Sequence, residues 1–169
     1  KRFVQLIEGE QGKLIMGGKI GFFQKIRLYL SLYKNSIPIQ KELINQQYAL
    51  IKEFKPDKLF FSAKALYGFV HHIESPNNAI LLSPIPYMIH PKKERPNIGF
   101  KKSFGSVVNK WTYSLANYGI AKSTHSLTKK TNPQKLKRIK QALKEVPLMF
   151  SISPLLFKAD KAWPKRVSV

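Results

Sequence analysis

The feature that most constrains the fold lies between residues 56 and 86, where two apolar segments flank a segment of helical character. PDKLFF (56–61) is typical of a turn leading into a buried strand, and AILLSPIP (79–86) of a second buried strand ending in prolines. Between them, SAKALYGFVHHIE (62–74) predicts a helix with Ser62 as its N-cap. A strand, a helix and a strand within about 30 residues form a βαβ unit, whose strands are parallel. We therefore predict an α/β domain with a Rossmann-like parallel sheet flanked by helices.

Before this unit the pattern predicts two helices in succession. The segment 20–34 mixes apolar and basic residues, which is typical of a docking helix or of an interfacial amphipathic helix. Ser36 is then placed to cap a second helix that has Pro38 in its first turn and ends near Phe54. Residues 3–7 indicate a short strand, and Gly17-Gly18 a flexible loop, because no strand and GxGxxG pattern surrounds them.

After the βαβ unit, a long Pro- and Lys-rich loop leads to further elements. The pattern over 106–120 predicts a helix that buries Val107, Trp111 and Leu115. Asn132-Pro133 is predicted to cap a helix over 133–145, where Leu136, Ile139 and Leu143 form one apolar stripe. A third strand is predicted in PLMFSISP (147–154), and the closing Val-Ser-Val resembles the start of another.

Length and composition indicate one folded domain in a reducing compartment. The 169 residues suffice for a single core, 43% of them are apolar, and cysteine is absent. No window is apolar enough for a membrane span, and no signal peptide begins the sequence, so we expect a cytoplasmic location, including the periphery of a membrane. Because the sequence starts without Met and stops on a strand-like segment, we expect a partial domain.

The charge balance favours anionic partners. Thirty Lys and Arg oppose nine Asp and Glu, for a formal net charge of +21. Seven basic and no acidic residues lie between Lys129 and Lys144, which fits a phosphate- or lipid-facing strip but is more commonly a solvated helix face. Two alternatives follow from charge alone: a nucleic-acid-binding module, and a module that binds an anionic membrane surface through residues 21–34 and 92–102. No RNA- or DNA-binding motif supports the first.

The sequence holds no self-sufficient catalytic apparatus. The four histidines, His71, His72, His90 and His125, lack metal-ligand spacing, so we expect no metal site. Of His71 and His72, one is expected to face solvent and the other to pack. Asp57 and Asp160 are most simply turn residues.

Several short motifs, in order, resemble one enzyme family. They are KPDKLFF, HHIESP, NAILLSPIPYM, FGSVVNKWTYSL and LMFSISPLLFKADKAWPKRVSV. This order is similar to the amino-terminal domain of nucleotide-sugar-dependent glycosyltransferases of the two-domain GT-B fold, in the branch with sterol and macrolide glucosyltransferases. The similarity covers roughly residues 40–169, with DKAWP where the family often has DWP.

The resemblance implies the acceptor-side half of a glycosyltransferase. The family's Gly-rich first strand and its His general base would lie upstream of this sequence, so no catalytic residue is assigned. The donor domain that binds the UDP-sugar would follow it and would be its covalent partner. The resemblance thus implies that residues 1–169 form one partial domain, which holds no cofactor and is inactive alone.

Candidate acceptor-binding residues follow from the ends of the predicted strands. Ligands of parallel sheets bind beyond the carboxyl ends of the strands. The candidates for a lipophilic hydroxyl acceptor are Phe61, Ser62, Ser83, Pro84, Tyr87 and His90.

Overall fold

The structure is a computed structural model that describes residues 9, 22–86, 88–97, 102–103, 105–157 and 159–169. The predicted strand over 3–7, the Gly17-Gly18 loop and Tyr87 lie outside these residues. The described elements, in chain order, are α1 (Phe22–Phe54), β1 (Leu59–Ser62), α2 (Tyr67–Glu74), β2 (Ala79–Ser83), α3 (Ser106–Thr128), α4 (Leu136–Glu145), β3 (Leu148–Phe150) and β4 (Val167–Ser168).

The chain divides into two compact units, Lys1–Gln46 and Gln47–Val169. The first contributes one described element, the greater part of α1, and the prediction of two successive helices is wrong. Ser36 does not cap a new helix, because its hydroxyl donates to the Tyr33 carbonyl 2.8 Å away and accepts from Gln40 Nε2 at 2.6 Å. Pro38 lies inside the helix, where it removes one backbone donor without ending the element.

The second unit contains a four-stranded sheet in the order β1-β2-β3-β4, with every pair parallel. Leu81 is opposite Phe61 on one side and Leu148 on the other, which fixes the register across the central strands. Helices α2, α3 and α4 pack against one another, and α2 packs against β1 and β2. The predicted α/β, Rossmann-like parallel sheet flanked by helices is therefore confirmed.

The two faces of the sheet differ in burial. Side chains on the helix-covered face are buried in a continuous core, which also includes residues of the helices and of the final loop. Its members from the strands are Phe61, Ala79, Leu81, Leu148, Phe150 and Val167. On the opposite face, Phe60 and Met149 are 54% and 42% exposed.

Helix α2 begins later than predicted. Ser62 is the last residue of β1, and its carbonyl accepts from the Ala65 amide. The helix starts at Tyr67, with no side-chain cap. The predicted cap at Ser62 is therefore wrong, because the backbone first makes a turn between strand and helix.

In helix α3 the apolar face that the sequence pattern predicts to be buried is exposed, and the polar face is buried. Val107, Trp111 and Leu115 are 79%, 74% and 58% exposed, whereas Asn109 and Thr112 are buried. The reason is the preceding loop, because the backbone groups of its described residues need hydrogen-bond partners and pair with no strand. The polar side chains of α3 supply them, so the polar face points inward.

The contacts between α3 and this loop are specific. Asn109 Nδ2 donates to the Lys93 carbonyl at 2.9 Å, and Asn117 Nδ2 to the Ile89 carbonyl at 3.0 Å. Thr112 Oγ1 accepts from the Asn97 amide at 2.8 Å. These bonds hold the loop along about two turns in the first half of the helix.

The carboxyl-terminal elements largely follow the prediction. Ile139 and Leu143 are buried on α4, with Leu136 partly buried beside them, and β3 and β4 form where the sequence places strands. Asn132 does not cap α4, because its amide donates to the Glu74 carboxylate and to Tyr67 Oη. It instead ties the α3–α4 turn to α2.

A pair of glycine substitutions tests the packing of α2 on β1. A Cβ at Gly68 would lie 2.2 Å from Cδ2 of Phe61, whereas at Gly119, on α3, it would meet no atom within 4 Å. We expect Gly68→Ala to lower the free energy of unfolding by about 1–3 kcal/mol through overpacking. Gly119→Ala should raise it by about 0.5–1 kcal/mol through helix propensity. Urea unfolding of both variants measures this, and equal stabilisation by both would contradict the close packing.

Candidate functional site

Two distant loop segments meet beside Phe150 of β3. One follows β2 and contains His90 and Pro91; the other precedes β4 and contains Trp163 and Pro164. The Trp163 indole Nε1–H donates to the Pro91 carbonyl at 2.9 Å, across 72 residues of sequence. This bond fixes the two segments together.

An aromatic cluster supports the junction of the two segments. Trp163 lies with its ring centroid 5.3 Å from Phe150, at the end of β3, and 5.8 Å from Phe157. The His90 ring lies 6.5 Å from Trp163, and Lys92 Nζ lies 5.1 Å from the Phe157 centroid. Such packed aromatic rings hold both segments rigidly.

A cavity of about 480 Å³ opens between this junction and helices α3 and α4. Its apolar walls include the side chains of Ile89, Tyr113 and Leu143. Its polar walls carry three cationic side chains, one imidazole, one hydroxyl and one amide: Lys110, Lys144, Arg166, His90, Ser114 and Asn117. This mixture suits an amphipathic ligand, and particularly one with a negative charge.

His90 is the most distinctive group of the cavity. It is 8% exposed, and among the described residues its Nε2 has no hydrogen-bond partner. Burial, together with the positive charge of Arg166, lowers the pKa of His90 to about 4. The ring is therefore neutral at pH 7, and its unpartnered nitrogen can form a hydrogen bond with a ligand.

Asn117 offers a second unpartnered atom. Its Nδ2 is held by the Ile89 carbonyl, which directs Oδ1 away from that bond. Within the described part of the chain Oδ1 is buried and has no donor. A ligand hydroxyl or amine would satisfy it.

The structure separates the other candidate residues from this cavity. Phe61 is 5% exposed and packs edge-on against Phe69 at 5.1 Å, within the core. Ser83 is buried and donates to the Ile85 carbonyl at 2.7 Å. Ser62 and Pro84 are exposed at the strand ends, and Tyr87 lies outside the described residues. Of the six candidates, His90 lines the cavity.

Sequence reasoning missed the residues that α3, α4 and the final loop contribute. Lys110 and Arg166 lie within quoted motifs but were not singled out, Lys144 lies outside them, and the three converge only through the fold. A usable signal existed in α3, where Asn109, Tyr113 and Asn117 recur every four residues and mark a polar face.

His71 and His72 are buried in the protein and do not line the cavity. Both His71 and His72 are buried, at 7% and 6% exposure, so the expectation that one faces solvent is wrong. Desolvation lowers the pKa of each. Among the described residues, no group of three His, Asp or Glu side chains is arranged to hold a metal ion.

The buried histidines predict acid sensitivity. His71, His72 and His90 have pKa values below the ordinary 6.5 in the folded chain. Between about pH 6.5 and 5 the unfolded chain therefore binds more protons than the folded one, so the free energy of unfolding falls as the pH falls through this window. Urea unfolding at several pH values measures the slope, and His90→Gln should reduce it. A flat profile over this window would contradict the burial of these rings.

No model of a known protein family matches this chain, and no curated protein matches it. The resemblance of its short motifs to glycosyltransferase acceptor domains therefore stays a prediction. What supports a function is the geometry of the cavity and of the segments that meet around it.

Proposed function

We propose that this chain forms the acceptor-side half of a glycosyltransferase. The complete enzyme would move a sugar from a nucleotide-sugar donor, such as a UDP-sugar, to the hydroxyl of a lipophilic acceptor. One observation carries the proposal: the hydrogen bond between Trp163 and the Pro91 carbonyl. It joins the DKAWP segment to the loop that directly follows the NAILLSPIPYM motif, and so links two of the regions on which the family resemblance rests. Beside it lies a cavity large enough for a small ligand.

The order of the motifs along the sheet supports the same proposal. KPDKLFF contains β1, NAILLSPIPYM contains β2, and LMFSIS contains β3, so the motifs fall on successive parallel strands. Their loops therefore emerge at one edge, where parallel sheets bind ligands. A set of motifs spread over unrelated elements would not favour a common site.

The open face of the sheet supports a larger enzyme. Parallel sheets are ordinarily covered on both faces, because their side chains are apolar on both. Here Phe60 and Met149 remain about half exposed on the second face. In the proposal, further structure of the same enzyme covers this face and supplies the donor site.

The chemistry assigned to this half is the binding and positioning of the acceptor. In the proposal, polar groups of the acceptor would bond to the neutral His90 ring and to Asn117 Oδ1, whose buried atoms have no partner among the described residues. Removal of the acceptor's proton and stabilisation of the leaving diphosphate belong to groups outside this chain. The chain alone would therefore bind an acceptor without transferring a sugar.

Trp163 provides a direct test, because the sequence contains two tryptophans and the other, Trp111, is exposed. In a Trp111→Phe chain, emission comes from Trp163 beside the cavity. We expect a fluorescent sterol with a free hydroxyl to accept energy from Trp163, with roughly tenfold weaker binding after His90→Ala. This factor corresponds to one lost hydrogen bond. Isothermal titration with UDP-glucose should show no binding to the chain.

Two controls make the outcome decisive. The acetylated sterol lacks the hydroxyl and should bind more weakly, and Asp57→Asn, in the turn before β1, should leave sterol binding unchanged. Formation of a glucoside by the chain alone would contradict the assignment of catalysis to other parts of the enzyme. If sterols, macrolides and flavonoids all fail to bind, the acceptor-side assignment is wrong.

A further inference from the structure

Helix α3 carries an apolar surface that the fold leaves uncovered. Five side chains make up this surface, which we call the α3 stripe. They are Val107, Val108, Trp111, Leu115 and Tyr118, which are 79%, 44%, 74%, 58% and 42% exposed, respectively. They recur at spacings of three and four residues and so lie along one side of the helix. Scattered exposed apolar residues need no explanation, but a contiguous row that contains a tryptophan marks an interaction surface.

Lysines border the α3 stripe. Lys140 Nζ lies 4.7 Å and Lys122 Nζ 6.0 Å from the centroid of the Tyr118 ring. Lys110 precedes Trp111 in the sequence, and its side chain lines the cavity beside the stripe. Lys122 and Lys140 therefore present their charges next to the aromatic ring of Tyr118.

The α3–α4 region is strongly basic, and its one acidic residue in the sequence is Glu145, at the end of α4. Between Arg95 and Lys144 the sequence contains twelve Lys and Arg and no Asp or Glu. On α4, Lys137, Arg138 and Lys140 are exposed while Ile139 is buried. The partner of this surface must therefore tolerate, and is attracted by, uncompensated positive charge.

We propose that the α3 stripe and its lysines dock this protein onto the surface of an anionic lipid bilayer. In this arrangement Trp111 and Leu115 enter the boundary between headgroups and acyl chains, while the lysines meet lipid phosphates. Amphipathic helices with a tryptophan on one side and lysines around it bind bilayers in this way. The proposal goes beyond the proposed glycosyl transfer and does not depend on it.

Charge and side-chain chemistry favour a bilayer over the other anionic or apolar partners. A second copy of the chain would bring two positive surfaces together, because a symmetric dimer pairs the same patch with itself. A nucleic acid would meet the lysines and could stack bases on Trp111 and Tyr118, but it would leave the aliphatic side chains of Val107, Val108 and Leu115 without an apolar partner. A bilayer satisfies both the apolar row and the charges.

The α3 stripe can also contact a partner without any change in the packing of the core. The core side of α3 consists of Asn109, Thr112, Tyr113 and other residues that the loop or the helices cover. Trp111 is 74% exposed, so its replacement removes little core packing. In the described residues, no helix is both long and apolar enough to span a membrane.

The first experiment is flotation of the 169-residue chain with lipid vesicles. We expect binding to vesicles of phosphatidylcholine mixed with phosphatidylglycerol, and at least tenfold weaker binding to phosphatidylcholine alone. Tryptophan emission should shift to the blue on binding, and lipids with brominated acyl chains should quench it in the wild-type chain. In Trp111→Phe, whose only tryptophan is the buried Trp163, this quenching should be lost.

Matched variants localise the binding. Trp111→Ser should lower the partition coefficient about tenfold, whereas Phe54→Ser, which removes an aromatic side chain that is 70% exposed on α1, should leave it unchanged. Replacing Lys122 and Lys140 with glutamine should lower it about fivefold per lysine. The same double replacement at the exposed Lys41 and Lys64 should have a clearly smaller effect. Circular dichroism confirms that each variant is folded.

Three outcomes would overturn the proposal. The first is equal binding to neutral and anionic vesicles, and the second is an equal effect of Trp111→Ser and Phe54→Ser. The third is evidence that the α3 stripe binds another partner. This would be self-association without lipid that Trp111→Ser abolishes, or binding of single-stranded RNA that competes with vesicles and is equally sensitive to Trp111→Ser.

Discussion

The inward-facing polar side of α3 organises the second unit of this protein. The described part of the loop after β2 pairs with no strand, so its carbonyl and amide groups depend on side chains for hydrogen bonds. Asn109, Thr112 and Asn117 provide them along two turns of the helix. Tyr113 adds its hydroxyl, which lies 3.2 Å from the carbonyls of Arg95 and Pro96. Because this loop carries His90 and Pro91, the cavity and the contact with Trp163 both depend on these hydrogen bonds between α3 and the loop.

The same hydrogen bonds determine which face of α3 is exposed to solvent. A helix has one face to bury, and here the hydrogen-bonding demand of the loop outweighs the burial of Val107, Trp111 and Leu115. Leaving a buried carbonyl without a donor costs about 1–3 kcal/mol, comparable to the gain from burying one large apolar side chain. Four carbonyls, those of Ile89, Lys93, Arg95 and Pro96, lie within hydrogen-bond distance of donors on α3, and together they favour the polar face. The apolar row becomes a surface that is available for a partner.

Elements that depend on residues close together in the sequence were predicted correctly, whereas those that depend on distant residues were not. The βαβ unit was correct because buried strands and their turns are encoded within a few residues, as in PDKLFF and AILLS. Helix caps at Ser36, Ser62 and Asn132 were wrong, because each of these side chains or its backbone is engaged elsewhere. The burial of α3 was wrong for a related reason: apolar periodicity carries no information about a loop that needs donors. In the cavity, only His90 was among the predicted residues, since Lys144 and Arg166 meet it through tertiary contacts alone.

The cavity and the α3 stripe are neighbours on one helix, and this relates the two proposals physically. Lys110, Ser114 and Asn117 line the cavity, and Trp111, Leu115 and Tyr118 each follow one of them by a single residue. One residue is a rotation of about 100° around a helix, so the two rows lie on adjacent sides. A bilayer docked on the stripe would therefore lie beside the cavity. A lipophilic acceptor would then reach His90 from the membrane over a short path, without first being dispersed in water, where exposure of its apolar surface is unfavourable.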